Sequence, residues 1–429
     1  MRPTLLRPHS ARLNPFTDTN RVFVTTKAAT EPGRSNRPWW KMTTASPVIG
    51  IRPRATTRHA AGSFYRPELD ILRFVAFLLV FVHHTAPRQG LIPHLGPQLS
   101  FVVTSLAKAC GFGLCLFFAL SAYLITELLI REKSANGEIE IRAFYTRRVL
   151  RIWPLYFLGL GIGVALTLLR HEPDVLGRYA AYAVLAGNWY CAAHIASAGK
   201  SPMEILWSIS IEEQFYLFWP WIAAARARRL LEGAAVSLLA VSALALIIIG
   251  RTGTSTDAAW FNSFVQFGMF GAGAMLSLKL RGSAPRLGIA SRIAVALAAA
   301  AMWYIASAVF HIKDPGPATS AINMLAGYAA VALGCVLFLL SAMGTSAMKL
   351  PRTLIYLGRI SFGLYVFHEL GMNMAWSLLH KLRVPQPGVV AAFLGLAITI
   401  AIASLSYNFY EKPFLRLKKR LEVVKSRPV

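Results

Sequence analysis

Ten segments of the sequence are apolar over a length that could cross a lipid bilayer. They occupy residues 69–87, 109–130, 149–169, 205–225, 234–250, 260–280, 289–310, 320–343, 354–379 and 389–410. A helix of roughly 20 mostly apolar residues spans a hydrocarbon core about 30 Å thick. Because lipid offers no partners to backbone N–H and C=O groups, such segments must satisfy these groups within a helix. The sequence therefore predicts an all-α, polytopic transmembrane helix bundle.

The composition agrees with a membrane protein and argues against a nucleic-acid partner. Hydrophobic residues make up 55% of the chain and charged residues only 15%, which is typical of polytopic membrane proteins. The net charge of +26 could indicate nucleic-acid binding, but the basic residues cluster between the apolar segments, as topology signals do. The sequence predicts a lipid bilayer as the partner and no nucleic acid.

Four cysteines are scattered singly in or near the apolar segments, at Cys110, Cys115, Cys191 and Cys335. Their spacing matches neither a metal site nor a disulfide framework. We expect small core residues at these positions and no bound metal.

The charges of the connecting loops predict the topology. A short apolar run at residues 179–190 is ambiguous in length. If it does not span, the basic loops all fall on one side of the membrane, at residues 131–151, 226–229, 279–292, 349–352 and 412–420. If it spans, every later basic loop moves to the side opposite residues 142–151, against the positive-inside rule. We therefore expect about ten spanning helices in the inner membrane, both termini cytoplasmic, and residues 179–190 re-entrant or at the outer interface.

The first 63 residues differ in kind from the rest of the chain. Arg, Pro, Ser and Thr dominate, and the only acidic residues are Asp18 and Glu31. Such a segment cannot bury enough surface to fold alone. We expect a disordered basic tail over residues 1–63. The alternatives for its origin are an organelle transit peptide and an overlong gene model in which Met42 is the true start. A membrane domain would follow over residues 64–415, and a basic cytoplasmic tail over residues 416–429.

The first apolar segment carries two ionisable residues on one helix face, Arg73 and His84. Eleven residues at about 100° each make three turns plus about 20°, with roughly 16 Å of helix axis between the two. Ionisable groups within a membrane are costly and tend to mark a function. His83 points about 100° away, so His84 is the candidate functional histidine.

Two arginines at the start of the third apolar segment, Arg148 and Arg151, are three residues apart and share a face. Two guanidinium groups so placed can bind phosphate oxygens bidentately. The alternative is a positive-inside anchor without a ligand.

The fourth segment holds two adjacent carboxylates, Glu212 and Glu213. At helical spacing Glu212 shares a polar face with Ser208 and Tyr216, whereas Glu213 points toward apolar neighbours. If this helix enters the membrane near residue 204, Glu212 lies about 12 Å below the membrane surface, a depth that His84 can also occupy. We therefore predict that Glu212 pairs with His84 and stabilises its imidazolium form. The alternative is a glutamate pair in an interfacial helix.

Two further segments are suggestive. Ser121 and Tyr123 lie in a run of small and hydroxyl residues that is typical of a helix-packing seam. His368 and Glu369 lie near the outer end of a later helix, where a satisfied interfacial histidine is the ordinary interpretation. Signatures of an esterase elbow, a zincin, a P-loop and a dinucleotide fold are missing from the sequence.

Taken in order, these segments resemble the acyltransferase 3 family of multi-pass O-acyltransferases. The resemblance covers roughly residues 65–415 and rests on Leu69-Asp-Ile-Leu-Arg73 through His84, Phe117-Phe-Ala-Leu-Ser-Ala-Tyr123, Arg147-Arg-Val-Leu-Arg-Ile-Trp-Pro154, Trp207-Ser-Ile-Ser-Ile-Glu-Glu-Gln-Phe-Tyr216, Ser361-Phe-Gly-Leu-Tyr365 with His368, and Tyr410-Glu-Lys-Pro413. We expect a standalone membrane enzyme without an SGNH-type esterase domain.

The resemblance implies transfer of an acetyl or other short acyl group from acyl-CoA to a hydroxyl of a sugar or cell-surface glycan. Arg73, Arg148 and Arg151 would bind the acyl-CoA donor, and His84 would be the catalytic base with Glu212 beside it. The expected substrate contacts are Ser208, Tyr216, Ser121, Tyr123 and His368.

The sequence departs from the family pattern at two places beside the expected site. Ile71 replaces the glycine usual after the aspartate, and Ala122-Tyr123 replaces the usual Gly-Phe. These departures put the donor or acceptor preference in doubt more than the reaction class.

A proton-coupled secondary transporter or flippase is the alternative function. It would use His84 and Glu212 as a proton relay. Inverted repeats or broken helices in two matching halves would favour it, and the sequence displays neither.

Overall fold

The computed structural model describes residues 64–86, 96–171, 175–195, 201–225, 227–318, 320–345, 350–385 and 388–424. Within these ranges the chain forms helices and no β-strand. The expected basic tail of residues 1–63 lies outside the described residues.

The helices follow one another in the order α1 Pro67–Thr85, α2 Pro97–Cys110, α3 Gly113–Asn136, α4 Ile141–Leu169, α5 Val175–Ala183, α6 Gly187–Ala193, α7 Trp207–Ala224, α8 Arg228–Thr252, α9 Thr256–Phe261, α10 Ser263–Leu280, α11 Ile289–Ala308, α12 Ala321–Ala342, α13 Arg352–Arg359, α14 Ser361–Lys381, α15 Gly388–Leu405 and α16 Lys412–Lys419. A 3₁₀ turn over Glu204–Leu206 leads into α7, and a π-helical turn over Ser406–Glu411 joins α15 to α16. Each of the ten apolar segments overlaps one of these helices, so the predicted all-α class is confirmed.

Six helical stretches of the described chain are long and apolar enough to cross a membrane, namely Pro97–Asn136, Ile141–Leu169, Arg228–Thr252, Ile289–Ala308, Ala321–Ala342 and Gly388–Lys419. Large apolar side chains such as Leu297, Ile322 and Phe393 are exposed on these helices, as expected where equally apolar lipid tails cover the surface. The predicted count of about ten spans is not confirmed. Helices α1, α7, α10 and α14 have less apolar compositions because they carry charged, amide or imidazole side chains.

The short apolar run at residues 179–190 forms parts of α5 and α6, which are nine and seven residues long. At 1.5 Å per residue, neither reaches the roughly 30 Å of a hydrocarbon core. Tyr182 is buried, and its hydroxyl donates a hydrogen bond to the Glu204 carbonyl oxygen at 2.9 Å. These short helices therefore pack against the turn that leads into α7.

Helix α1 is held tightly against its neighbours near its first turns. Gly358 of α13 lies against the backbone of Asp70, and a Cβ atom at position 358 would overlap it. Only glycine permits this approach without displacement of one helix. The contact positions Asp70, which in turn forms an ion pair with Arg73 at 3.6 Å.

The loop that follows α11 folds back into the protein. The Nζ atom of Lys313 lies 3.8 Å from the centre of the Trp260 ring in α9, and Asp314 forms ion pairs with Lys108 of α2 and with His311. Burial lowers the pKa of Lys313 to about 8. Burial alone would raise the pKa of Asp314, but the hydrogen bonds from Lys108 and His311 lower it overall. These contacts connect the loop to α2 and α9.

Candidate active site

A cavity of about 140 Å³ lies among α1, α3, α4, α7, α14 and α16. These helices are distant in sequence, and each contributes one face to the wall. The predicted site residues that line it are Arg73, Ser121, Arg148, Arg151, Ser208, Glu212 and Tyr216. The structure therefore brings the three expected donor arginines together with Glu212 and its polar face.

Arginine side chains make one part of the cavity wall strongly cationic. Arg148 places its guanidinium group over the rings of Phe144 and Tyr216, at 5.6 and 5.4 Å from their centres. Its Nε atom is buried and finds no hydrogen-bond partner among the described residues. A buried donor without a partner costs about 1–3 kcal/mol. An anionic ligand that accepted this hydrogen bond would recover that cost.

Lys418 of α16 adds a basic side chain to the cavity wall that was not predicted from the sequence. Its side chain is only 5% exposed, lines the cavity and forms an ion pair with Glu422 at 2.8 Å. Arg147 donates a hydrogen bond to the Leu421 carbonyl oxygen at 3.0 Å, which ties this segment to α4. The cationic part of the wall therefore includes a residue from near the end of the chain.

Residues 416–429 were expected to form a cytoplasmic tail, so Lys418 was not among the predicted site residues. The available signal was Leu415, which packs against the core. Leu415 lies three residues before Lys418 and shares its helix face. An apolar residue at that spacing indicates that the Lys418 face turns toward the protein.

Glu212 is held on the cavity wall by two hydroxyl groups. Ser121 of α3 and Tyr216 of α7 each donate a hydrogen bond to its Oε1 atom. Glu213 points elsewhere and accepts a hydrogen bond from the Trp153 indole at 3.1 Å. Glu212 lines the cavity and Glu213 does not.

His84 lies in the last turn of α1 and contacts two residues of α14. Its Nδ1 atom is 2.8 Å from the Nε2 atom of His368 and 3.6 Å from the Oε1 atom of Glu369. The two imidazole planes are nearly parallel, at 15°, with centres 5.0 Å apart. His368 is fully buried, whereas the His84 side chain is 31% exposed. His84 is thus the more accessible member of a buried polar cluster.

The predicted pairing of His84 with Glu212 is not what the structure displays. The carboxylate beside His84 is that of Glu369, and within the described chain Glu212 accepts its hydrogen bonds from Ser121 and Tyr216. The sequence estimate counted depth from residue 204 as if it lay at the membrane surface. Glu204 is buried in the protein and paired with Arg178 at 3.5 Å, and a depth counted along one helix does not determine which carboxylate lies beside His84.

Tyr365 lies between the cavity and the histidines. Its side chain lines the cavity, and its hydroxyl is 2.7 Å from the Ser208 hydroxyl. Its backbone carbonyl oxygen is 2.7 Å from the Nδ1 atom of His368. Tyr365 and Glu369 were not predicted as site residues, although His368 and Glu369 lie three and four positions after Tyr365, a spacing that brings helical side chains close to that of Tyr365.

His83 and Tyr123 do not line the cavity. His83 has its Nδ1 atom 2.9 Å from the Ala107 carbonyl oxygen and packs its ring against Gly111, so its neighbours differ from those of His84, as predicted. Tyr123 is fully buried and does not line the cavity, and its hydroxyl has no hydrogen-bond partner within the described ranges.

The ligand atoms of His84, His368 and Glu369 all lie within 4.8 Å of one another, a spacing that could hold a metal ion. Two nitrogen atoms bound to one tetrahedral zinc ion at 2.0–2.1 Å would be about 3.3 Å apart. The observed 2.8 Å between the imidazole nitrogens is instead the length of a direct hydrogen bond. The geometry therefore favours a hydrogen-bonded histidine pair.

Comparison with known proteins agrees with the resemblance seen in the sequence. The chain is 26% identical to the peptidoglycan O-acetyltransferase OatA of Listeria monocytogenes over 84% of this chain and 57% of that protein. It is 27% identical to a putative peptidoglycan O-acetyltransferase, YrhL, of Bacillus subtilis over 81% of this chain and 55% of that protein. It is 24% identical to a putative O-acetyltransferase of Staphylococcus aureus over 82% and 57% of the two chains.

The chain spans a little over half the length of these relatives. No solved structure matches it. The family model described as an acyltransferase domain matches residues 66–408, a range that contains all ten predicted site residues. The chain therefore belongs to the acyltransferase 3 family.

Proposed function

We propose that this protein is a membrane-bound O-acyltransferase that moves an acetyl or other short acyl group from acyl-CoA to a hydroxyl of a sugar or cell-surface glycan. Membership of the family supports the reaction class. The activity named for two relatives, peptidoglycan O-acetylation, supports a glycan acceptor. The observation that carries the proposal is the cationic cavity whose wall at Tyr365 adjoins the paired histidines.

Acyl-CoA would bind with its phosphates at the cationic part of the cavity. Arg73, Arg148, Arg151 and Lys418 offer charged donors there, and a guanidinium fork matches the geometry of phosphate oxygens. Because CoA is a cytoplasmic compound, this part of the cavity would open toward the cytoplasm. The basic loops and both termini would then lie on the cytoplasmic side of the inner membrane, as the positive-inside rule predicts.

The pantetheine arm would extend from the arginines along the cavity toward Tyr365. Glu212 lies on this path, where Ser121 and Tyr216 hold its carboxylate. A carboxylate so placed can accept hydrogen bonds from the amide groups of pantetheine. Ser208 and Tyr216 would contact the same arm, so Glu212 would act by placing the donor in the cavity instead of by pairing with His84.

His84 would act as the general base. As the acceptor oxygen attacks the thioester carbonyl carbon, the imidazole takes the hydroxyl proton, the ester C–O bond forms, and the C–S bond breaks. The departing thiolate then recovers a proton from the imidazolium. General-base catalysis of this kind contributes about 10² to 10⁴ in rate, and fixing the thioester against the acceptor contributes in addition.

The test uses purified protein in liposomes, acetyl-CoA labelled in the acetyl group, and a soluble oligomer of N-acetylated amino sugars as acceptor. We expect alkali-labile label on the glycan and release of one CoA thiol for each ester formed. Liposomes without the protein provide the background rate. Movement of protons or of the glycan across the membrane without ester formation would contradict the proposal, and would favour a transporter that uses His84 and Glu212 as a relay.

A further inference from the structure

We propose that His368 and Glu369 are positioning residues that hold His84 in the tautomer required of a base. This inference rests on the proposed function, because it concerns how His84 accepts a proton. Both residues lie on α14, and neither needs to touch the substrate. The assignment differs from the substrate contact that the sequence analysis expected for His368.

The hydrogen bonds of His368 determine where its proton lies. Its Nδ1 atom is 2.7 Å from the carbonyl oxygen of Tyr365, and a carbonyl oxygen can only accept. His368 therefore carries its hydrogen on Nδ1, and in the neutral imidazole its Nε2 atom is an acceptor.

The tautomer of His84 follows from the tautomer of His368. With His368 Nε2 as the acceptor, the 2.8 Å hydrogen bond between the rings must be donated by the Nδ1–H group of His84. The lone pair of His84 then lies on Nε2, at the opposite edge of its ring. This is the atom that can receive the proton of an acceptor hydroxyl.

The surroundings of His368 keep its ring in place. Phe77 and Phe81, one turn apart on α1, approach the ring edge-on with centres 6.1 and 6.5 Å away. His368 is fully buried, so water does not compete for its nitrogen atoms. In a ring fixed in this way, the Nε2 atom of His368 can only accept the hydrogen bond from His84.

Glu369 supplies charge where the imidazolium forms. Its Oε1 atom lies 3.6 Å from His84 Nδ1, beyond hydrogen-bond length but close enough for a strong attraction in a buried site. The attraction appears only when His84 has accepted a proton on Nε2. Glu369 therefore stabilises the charged intermediate more than the resting enzyme, which is the condition for a rate effect.

During transfer the proton moves only at His84 Nε2. It arrives from the acceptor hydroxyl as the ester C–O bond forms, and it leaves to the CoA thiolate after the C–S bond breaks. The hydrogen on Nδ1 stays in its bond to His368 throughout, and Glu369 takes no part in the proton transfer. No oxidant, reductant or further reactant is required.

The test compares His368→Ala with His368→Gln, because a glutamine amide oxygen can accept the hydrogen bond from His84 and an alanine cannot. The kcat value and the KM values for acetyl-CoA and glycan are measured on protein of matched amount and matched elution in size-exclusion chromatography. We expect His368→Ala to lower kcat by at least 100-fold with both KM values within threefold of wild type. His368→Gln should restore kcat at least tenfold above His368→Ala, and Glu369→Gln should lower kcat about tenfold.

Three outcomes would overturn the inference. Equal losses in the Ala and Gln variants would remove the tautomer argument, and a raised glycan KM at unchanged kcat would make His368 a substrate contact. Activity lost on EDTA treatment and recovered with zinc would make the cluster a metal site. Failure of the proposed function is distinguishable, because in that case the wild type forms no acyl ester at all.

Discussion

The Nδ1 atom of His84 and the Nε2 atom of His368 lie 2.8 Å apart, although 284 positions separate the two residues in the sequence. The pair forms because α1 and α14 pack side by side, with Phe77 and Phe81 against the His368 ring. Beyond Tyr365, on the cavity side, the same two helices contribute Arg73 and Ser361 to the cavity wall. One helix pair therefore carries both the candidate base and part of the candidate donor site.

His84 and His83 should differ sharply in their effect on acyl transfer. His84→Ala removes the proposed base and should lower kcat by about 10² to 10⁴. His83→Gln is the matched control, because His83 contacts Ala107 and Gly111 instead of His368, and it should stay within about twofold of wild type. Initial rates of ester formation give the result, and near-normal turnover by His84→Ala would exclude the base.

Arg148 should determine donor affinity. Loss of a charge-assisted hydrogen bond costs about 1.5–3 kcal/mol, so Arg148→Ala should raise the apparent KM for acyl-CoA roughly 10- to 100-fold. Arg148→Lys should recover only part of this, since an ammonium group cannot form the bidentate fork. Arg142→Ala, at an exposed position earlier on α4, is the control. An unchanged KM in both Arg148 variants would leave the cluster as a topology signal only.

Lys418 should behave as a donor-site residue despite its place in the basic C-terminal stretch. Lys418→Met keeps the apolar stem and removes the charge, and it should raise the KM for acyl-CoA severalfold while kcat changes little. The neighbouring Lys419 is exposed, so Lys419→Met should have no measurable effect. If Lys418→Met and Lys419→Met have the same KM for acyl-CoA, Lys418 makes no contact with the donor.

Lys313 should make the stability of the protein depend on alkaline pH. Its pKa is lowered to about 8 by burial, whereas an unfolded lysine titrates near 10.4. Between these values the unfolded state binds more protons than the folded state, so stability rises with pH. The melting temperature of wild type relative to Lys313→Met should therefore increase from pH 8 to pH 10.5.

The exposed Lys279 provides the comparison for this experiment. The difference in melting temperature between wild type and Lys279→Met should not change with pH. A flat difference for Lys313→Met over the same range would mean that the Lys313 ammonium remains protonated in the folded protein.

The sequence predicted individual helices and helix faces well, because both depend on residues close together in the chain. The apolar segments became helices, and Ser208, Glu212 and Tyr216 line one cavity as their spacing indicated. The separation of His83 from His84 also follows from the rotation per residue. The number of spanning helices was harder to predict, since polar site residues dilute the apolar character of the helices that carry them.

Contacts between helices could not be predicted in the same way. The pairing of His84 with Glu212 depended on a depth counted along one helix, which does not determine that the carboxylate beside His84 is Glu369 of α14. Glu369 was not predicted as a site residue because its neighbour His84 belongs to a distant helix, and Lys418 was not predicted because residues 416–429 were expected to form a tail. Depth and partner choice are tertiary properties, and a single sequence contains no direct measure of either.

The position of Lys418 in the chain has a consequence for biosynthesis. Arg73 is made early, but Lys418 follows hundreds of residues later, which is tens of seconds at about 5–20 residues per second. Helices α1 to α14 have been synthesised once residue 381 is reached, and at that stage the cavity wall still lacks the Lys418 side chain. A ribosome that stalls before α16 would therefore leave a chain that retains the three cavity arginines but lacks Lys418, and we expect such a chain to bind the proposed acyl-CoA donor severalfold more weakly than the complete protein.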